Sequence, residues 1–222
     1  MEKVLLHTPE GVRDVYGKEC AVKLTIENSI NKVFNIYGYH NIQTPTFEFF
    51  DIFSKERGSV ASKNLYKFFD REGNTLVLRP DVTPSIARLV AKYYMDVKVP
   101  VKLCYNANTY INNSELQGKL KENTQLGCEL INDDSVEADA EILALVVDSL
   151  KAAGLKEFLV EIGHADFYKG LLEECGFDTE NEQELRKRIE NKNYFGVEEI
   201  LDNNNITGQL KEAFLKLPEL FG

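Results

Sequence analysis

LRPDVTPSIARLV, residues 78–90, runs from an apolar strand-like stretch through a turn into a helix, and two strand-like runs follow it, VKLCYNA at 101–107 and KENTQLGCELI at 121–131. Alternation along the last run places Gln125, Gly127 and Glu129 on one face and Leu126, Cys128 and Leu130 on the other. Asp81 and Thr83 stand where the first strand ends. Two carboxylates with an amide between them suit an ammonium group, because an ammonium offers three donors and a carboxylate offers only acceptors. A second reading is open on the same residues. Gln125 and Glu129 can form the solvated face of an antiparallel strand whose other face fills the core, while Asp81 or Thr83 caps the helix beginning near Pro84.

Outward from this stretch, the spacing of Val22, Ile26, Ile30, Val33, Phe34 and Tyr37 predicts an amphipathic helix over 18–37, stopped by Gly38. NIQTPTFEFF (41–50) reads, because of Pro45, as an edge strand or as a strand at a contact where the missing donor does not matter. GSVASKN (58–64) reads as a mobile loop, and LYKFFD (65–70) pairs with TLVLRPD (75–81) through the turn REGN. A polar loop around Gly118 joins the two long strands, and residues 134–154 carry helical periodicity closed by Gly154. EFLVEIG (157–163) predicts a short strand and HADFYKGLLEECG (164–176) a helix. Residues 178–222 pattern as further helices with solvated polar faces. The class is α+β, with a core over 1–175 and a helical segment or insertion over 176–222.

The 222 residues are 43% hydrophobic and 28% charged, an ordinary globular composition without an apolar run long enough to cross a bilayer. The opening MEKVLLHTPEGVRD is not patterned as a signal peptide, so a cytoplasmic location is expected. Cys20, Cys104, Cys128 and Cys175 form no CxxC or Cys/His cluster, and His7, His40 and His164 are isolated. No metal or cofactor site is expected. The net charge is −10 and uneven. Between Asp133 and Asp202 there are 7 basic and 19 acidic residues, a net −12 that leaves +2 for the rest. This distribution disfavours a long contact with a polyanion such as tRNA.

TPEGVRDVYG (8–17), LYKFFDREGNTLVLRPDVTPSIAR (65–88) and ELQGKLKENTQLGCELI (115–131) together resemble the core of histidyl-tRNA synthetase and of its non-synthetase relative, the regulatory subunit of ATP phosphoribosyltransferase in histidine biosynthesis. The order and spacing match over most of residues 8–175. LRPDVT resembles the regulatory branch more closely, since the synthetase branch usually carries LRPEGT. The resemblance implies a class II aminoacyl-tRNA synthetase-like antiparallel sheet flanked by helices. It implies that Asp81, Thr83, Gln125 and Glu129 hold a bound histidine, chiefly at its amino group. It also implies a homodimer formed through residues 18–37 and 42–50.

Where the resemblance fails is informative. Ile111 stands at the position of the arginine that clamps the adenylate in class II synthetases, and Asn113 at that of the glutamate. An isoleucine cannot stabilise charge developing on a phosphate, and loss of such a preorganised group costs several powers of ten in rate. Lys119 and Lys121 keep positive charge nearby as candidate anion contacts, without the bidentate fork of arginine. The GLDYY segment and later arginine of the synthetases have no match, which suggests a truncated core. The expected function is a non-catalytic regulatory subunit that activates a short-form ATP phosphoribosyltransferase within a hetero-oligomer and mediates histidine feedback. The alternative is a histidyl-tRNA synthetase catalytic fragment, opposed by Ile111 and the acidic balance. A self-contained phosphoribosyltransferase rests only on LDNNNITGQL (201–210), which lacks the preceding strand and paired acids and reads better as a helix–loop–helix junction. Arg79 can reach a carboxylate or phosphate, or pair with Asp81.

Overall fold

The structure, a computed structural model, describes residues 6–54, 60–113, 118–163 and 165–217. The chain divides into two compact units, Met1–Phe158 and Leu159–Gly222. The first holds helix α1 (Gly17–Ile36), strands β1 (His40–Asn41) and β2 (Phe47–Phe49), short helix α2 (Asp51–Ser54), strands β3 (Lys67–Phe69) and β4 (Thr75–Leu78), helix α3 (Thr83–Tyr93), the long strands β5 (Val101–Tyr110) and β6 (Glu122–Ile131), and helix α4 (Val136–Ala152).

Two three-stranded sheets result, β1-β5-β6 and β2-β4-β3. β5 and β6 are antiparallel with Cys104 opposite Cys128 and Tyr105 opposite Gly127, whereas β1 joins β5 in parallel. Pro45 lies between β1 and β2 and in neither, so its missing N–H costs no ladder bond. The single proline-bearing strand expected over 41–50 is thus two short strands in different sheets, β2 being an edge of its own. The β3–β4 hairpin turns on Asp70, whose carboxylate accepts from the backbone N–H groups of Glu72 and Asn74 (3.0 and 2.8 Å), while Gly73 adopts φ +86°.

The long ribbon β5–β6 has two different faces. Even-numbered residues meet α1 and α4, where Cys104, Leu126, Cys128 and Leu130 pack with Phe34, Tyr39 and Leu145. Lys102 fastens α4 to this face through Glu141 at 2.7 Å, and the Tyr39 hydroxyl donates to the same carboxylate at 3.1 Å. Odd-numbered residues Val101, Leu103 and Tyr105 meet Val82 and Ile86 of the α3 segment. Only the C-terminal half of α1 joins the packed cluster. Val22, expected on the buried stripe, is exposed, because the ribbon beneath the first half of the helix is polar rather than apolar.

In the second unit, α5 (Ala165–Cys175), α6 (Thr179–Glu190), α7 (Tyr194–Asn203) and α8 (Gly208–Lys216) surround Leu185, Val197, Leu201 and Phe214. Helix α5 belongs to this cluster through Tyr168, Leu171, Leu172 and Cys175, so the division of the chain falls before it rather than at residue 175. LDNNNITGQL is the junction between α7 and α8, with Asn205 and Gly208 at positive φ.

One strand expectation is corrected. EFLVEIG (157–163) is not a strand. It finds no ladder partner among the described residues, and Leu159 and Ile162 are 81% and 74% exposed. β-propensity alone cannot hold a strand whose backbone groups have no neighbour to bond. The loop GSVASKN is described only from Val60, and there Ser62–Asn64 form a 3₁₀ turn; its first two residues lie outside the described residues, as does His164.

Candidate functional site

The site is built where the start of α3 meets the odd-numbered face of β6. Helix α3 begins at Thr83 with Pro84 in its first turn, where a missing N–H is harmless. Neither Asp81 nor Thr83 is its N-cap residue; that position is Val82. The Asp81 carboxylate accepts from the backbone N–H of Thr83 at 3.3 Å. The freed Thr83 hydroxyl reaches across to the sheet and donates to Glu129 Oε1 at 2.7 Å. A contact 46 residues apart in sequence therefore joins the turn to the strand.

Tyr105 forms the floor. Its ring is buried and lies directly across β5–β6 on Gly127, so close that a Cβ at 127 would stand 2.4 Å from the Tyr105 oxygen. Glycine at 127 is thus a requirement of ring placement rather than of backbone strain. Burial raises the Glu129 carboxyl above the usual carboxylate range; the Thr83 hydrogen bond opposes this and the negative charge of Asp81 adds to it. The Tyr105 phenol is pushed up to about 12, first by burial and then by the charges of Glu129 and Asp81. Two carboxylates converging over a buried phenol form a place that favours a cation.

Gln125 lies on the same face as Glu129, opposite Ala107, and is exposed. Asp81, Thr83 and Glu129 are thus brought together, with Gln125 further along the same row. The two lysines are elsewhere. Lys121 donates its backbone N–H to Gly11 O and lays its side-chain stem over that glycine, which holds φ +81°. Eight residues of chain, roughly 26 Å at strand spacing, separate it from Glu129. Lys119 is exposed in the connecting loop. Ile111 donates its backbone N–H to Lys121 O at 2.9 Å, and Asn113 spends its amide on Leu120 O at 3.2 Å. Among the described residues no group of three His, Cys, Asp or Glu is placed to hold a metal ion.

The Arg79 guanidinium is engaged by the backbone. Only 6% exposed, it donates to the backbone carbonyls of Asn108 (2.8 Å), Thr44 (2.8 Å) and Pro45 (3.1 Å), and so ties the β1–β2 link to the end of β5. Sequence reasoning missed the ion pair between Arg88 and Glu48, 2.7 Å apart with the Glu48 carboxylate almost wholly buried. No local pattern announces a pair 40 residues apart.

The family model described as "Histidyl-tRNA synthetase" matches residues 11–222. The chain belongs to the histidyl-tRNA synthetase family. Within it, the chain is 46% identical over its whole length to the ATP phosphoribosyltransferase regulatory subunit of Ruminiclostridium cellulolyticum, of which it spans 53%. The crystal structure of an ATP phosphoribosyltransferase regulatory subunit/histidyl-tRNA synthetase from Bacillus halodurans C superimposes with a TM-score of 0.82 at 36% identity, covering 96% of this chain and 55% of that one. Apo histidyl-tRNA synthetase of S. aureus gives a TM-score of 0.58 at 28% identity, covering 68% and 40% of the two chains. The chain thus spans about half the length of the curated relatives it matches, and its fold is α+β of the class II histidyl-tRNA synthetase type.

In this family chain, the Tyr105–Gly127 contact carries a direct prediction. Gly127→Ala drives a methyl group into the ring and is expected to lower stability by about 1–3 kcal/mol, the usual range for overpacking. In a Tyr105→Ala background the same change is expected to cost little. Equal losses in both backgrounds, read from urea unfolding, would show that the contact does not govern position 127.

Proposed function

We propose that this chain is the synthetase-like part of a regulatory subunit that binds histidine, activates a short-form ATP phosphoribosyltransferase and conveys histidine feedback to it, with no chemistry of its own. One contrast carries the reading. The ammonium end of an amino-acid site is assembled from Asp81, Thr83 and Glu129, while Ile111 and Asn113 occupy the places where a synthetase needs a fixed cation and its carboxylate partner. A site that can hold an amino acid but cannot stabilise charge on a phosphate is suited to sensing rather than to adenylate formation. The names of its relatives agree with this reading. Feedback then follows from linkage: histidine favours one state of the complex, and its coupling to the catalytic site is reciprocal.

The charge distribution supports a protein partner over tRNA. Residues 159–222 hold 7 basic and 14 acidic side chains, a poor surface for phosphates. Among the described residues no helix is long and apolar enough to cross a membrane, in keeping with a cytoplasmic place beside a biosynthetic enzyme.

The homodimer within the larger assembly draws its support from the second sheet. Phe47 and Phe49 are 52% and 57% exposed on one face of β2-β4-β3, with Phe68 beside them 5.8 Å from Phe47. Their neighbour Glu48 points to the opposite face. Such an apolar patch is a surface made to be covered. The double variant Phe47→Glu/Phe49→Glu is expected to be monomeric by light scattering with its far-ultraviolet circular dichroism unchanged. A variant that stays dimeric would move the interface elsewhere.

The deciding experiment measures ATP phosphoribosyltransferase activity of the short catalytic subunit from the same organism, with and without the full-length protein, across a histidine titration. Activation reversed by histidine supports the proposal. Absence of both activation and a complex overturns it, and histidine-dependent pyrophosphate exchange by the protein alone would restore the synthetase reading.

A further inference from the structure

Cys104 and Cys128 face each other directly across the β5–β6 ribbon. The hydrogen bonds around them fix the kind of pair they form. Ile42 donates its backbone N–H to Cys104 O at 2.9 Å, and Tyr110, on the same edge of β5, donates its own to Arg79 O at 2.9 Å. Just beyond the strand, odd-numbered Ile111 donates instead toward β6, to Lys121 O. The backbone groups of the even-numbered β5 residues therefore point away from β6, and Cys104 and Cys128 are a non-hydrogen-bonded pair. In an antiparallel ribbon this is the closer kind, with Cα atoms about 4.5 Å apart. A disulfide spans Cα separations of about 4.4–6.8 Å, so a bridge here needs little movement of either strand.

Both thiols lie on the even-numbered face, in the cluster of Phe34, Tyr39 and Leu145. Cys104 is fully buried, and its thiol donates to Asn41 Oδ1 at 3.5 Å. Cys128 is partly exposed. The other two cysteines, Cys20 and Cys175, lie on helices α1 and α5.

We propose that Cys104 and Cys128 are a redox pair that closes to a cross-strand disulfide under hydrogen peroxide, with Cys128 as the attacking thiol and Cys104 as the resolving one. The Cys128 thiolate attacks one peroxide oxygen, the O–O bond breaks, and the departing hydroxide takes a proton and leaves as water. Cys104 sulfur then attacks the sulfenic acid formed on Cys128. The S–O bond breaks, and the hydroxide carries off the Cys104 proton as a second water. Two thiols lose two electrons, and the peroxide gains them. In a reducing compartment the pair rests as thiols, and thiol exchange reopens a bridge formed under oxidant. Cys104 precedes Tyr105 in the chain, and Cys128 lies between Gly127 and Glu129. The bridge thus pins the two strands together at the level of the proposed histidine site, from the opposite face.

Burial pushes the Cys128 thiol up to about 11, and the charges of Glu129 and of Cys104 add to the rise. The thiolate is the nucleophile, so closure is slow at neutral pH and is expected to quicken about tenfold per pH unit toward that value.

The test treats the full-length protein with hydrogen peroxide, alkylates the remaining thiols with N-ethylmaleimide under denaturing conditions, and maps cross-linked peptides by mass spectrometry. A Cys104–Cys128 bridge is expected, with both thiols lost to alkylation and both recovered in dithiothreitol. The urea midpoint of the oxidised protein is expected to shift upward, because the cross-link restrains the unfolded chain. Cys104→Ser is expected to stop Cys128 at the sulfenic acid, trapped by dimedone, and Cys128→Ser to leave Cys104 unoxidised. The peptide map of the unsubstituted protein decides the bridge even where a serine variant fails to fold. Absence of the bridge, a bridge from either thiol to another cysteine in its place, or a closure rate indifferent to pH overturns the inference.

Discussion

Replacing Glu129 by glutamine is expected to weaken histidine binding by about 2–5 kcal/mol, roughly thirtyfold to several thousandfold, while leaving the protein at least as stable as before. The first half follows from chemistry. A carboxylate that accepts from Thr83 at 2.7 Å and stands beside Asp81 is placed to meet an ammonium, and an amide of the same shape keeps the Thr83 bond but loses the charge. The second half follows from linkage. Burial raises the Glu129 carboxyl in the folded chain above its unfolded value, so the folded state holds the proton more tightly and the charged form is a stability liability. Below the ordinary glutamate pKa of about 4.3 the group is protonated in both states and the variant differs little from the parent. As pH climbs through the raised value, the parent loses stability that the glutamine variant keeps. Calorimetric titration with histidine at pH 7, beside melting temperatures from pH 4 to 7, checks both. Undiminished histidine affinity would remove Glu129 from the site, and a variant that becomes less stable with rising pH would show that its carboxylate is structural.

The second large effect is expected from Arg79→Met. The methionine approximates the arginine stem, so the loss is that of the guanidinium, which serves three backbone carbonyls and the Thr44 hydroxyl in a nearly water-free position. Burial presses the Arg79 pKa down from its ordinary value, an indication of how little solvent reaches it. Bonds to charged donors are worth about 1.5–3 kcal/mol each, and leaving several buried acceptors without donors is expected to cost about 3–5 kcal/mol in all. That is a large part of the stability of an ordinary domain. Urea unfolding of the variant checks the value. The β1–β2 link and the end of β5 are expected to lose amide protection in hydrogen exchange before α4 does. A loss below about 1 kcal/mol would mean that water replaces the guanidinium at no great cost.

Much of this architecture was legible in local patterns. The alternation across 122–131 placed Leu126, Cys128 and Leu130 in the core and Gln125, Gly127 and Glu129 on the other face, because a strand has period two and cannot present both sets to one side. The REGN turn and the helix over 134–154 were similarly readable, each resting on residues close in sequence. The solvated-face alternative fits Gln125, which is exposed, but not Glu129, which is half-buried and accepts from Thr83. EFLVEIG was misread because strand propensity describes a side-chain preference, while a strand exists only where a second one offers its ladder.

The sequence by itself determined the class of the fold, the opposing faces of the long ribbon, the family, and the candidacy of Asp81, Thr83 and Glu129, since periodicity, turn chemistry and motif spacing are written in neighbouring residues. Tertiary structure alone decided that Thr83 bonds Glu129 rather than capping its own helix, that Arg79 serves backbone carbonyls, that Tyr105 is the reason for Gly127, and that the first half of α1 stands over a polar stretch of the ribbon. These contacts span 22 to 79 residues of chain. No local pattern encodes them, because they depend on which elements pack together and on which polar groups are left for one another once water has been excluded.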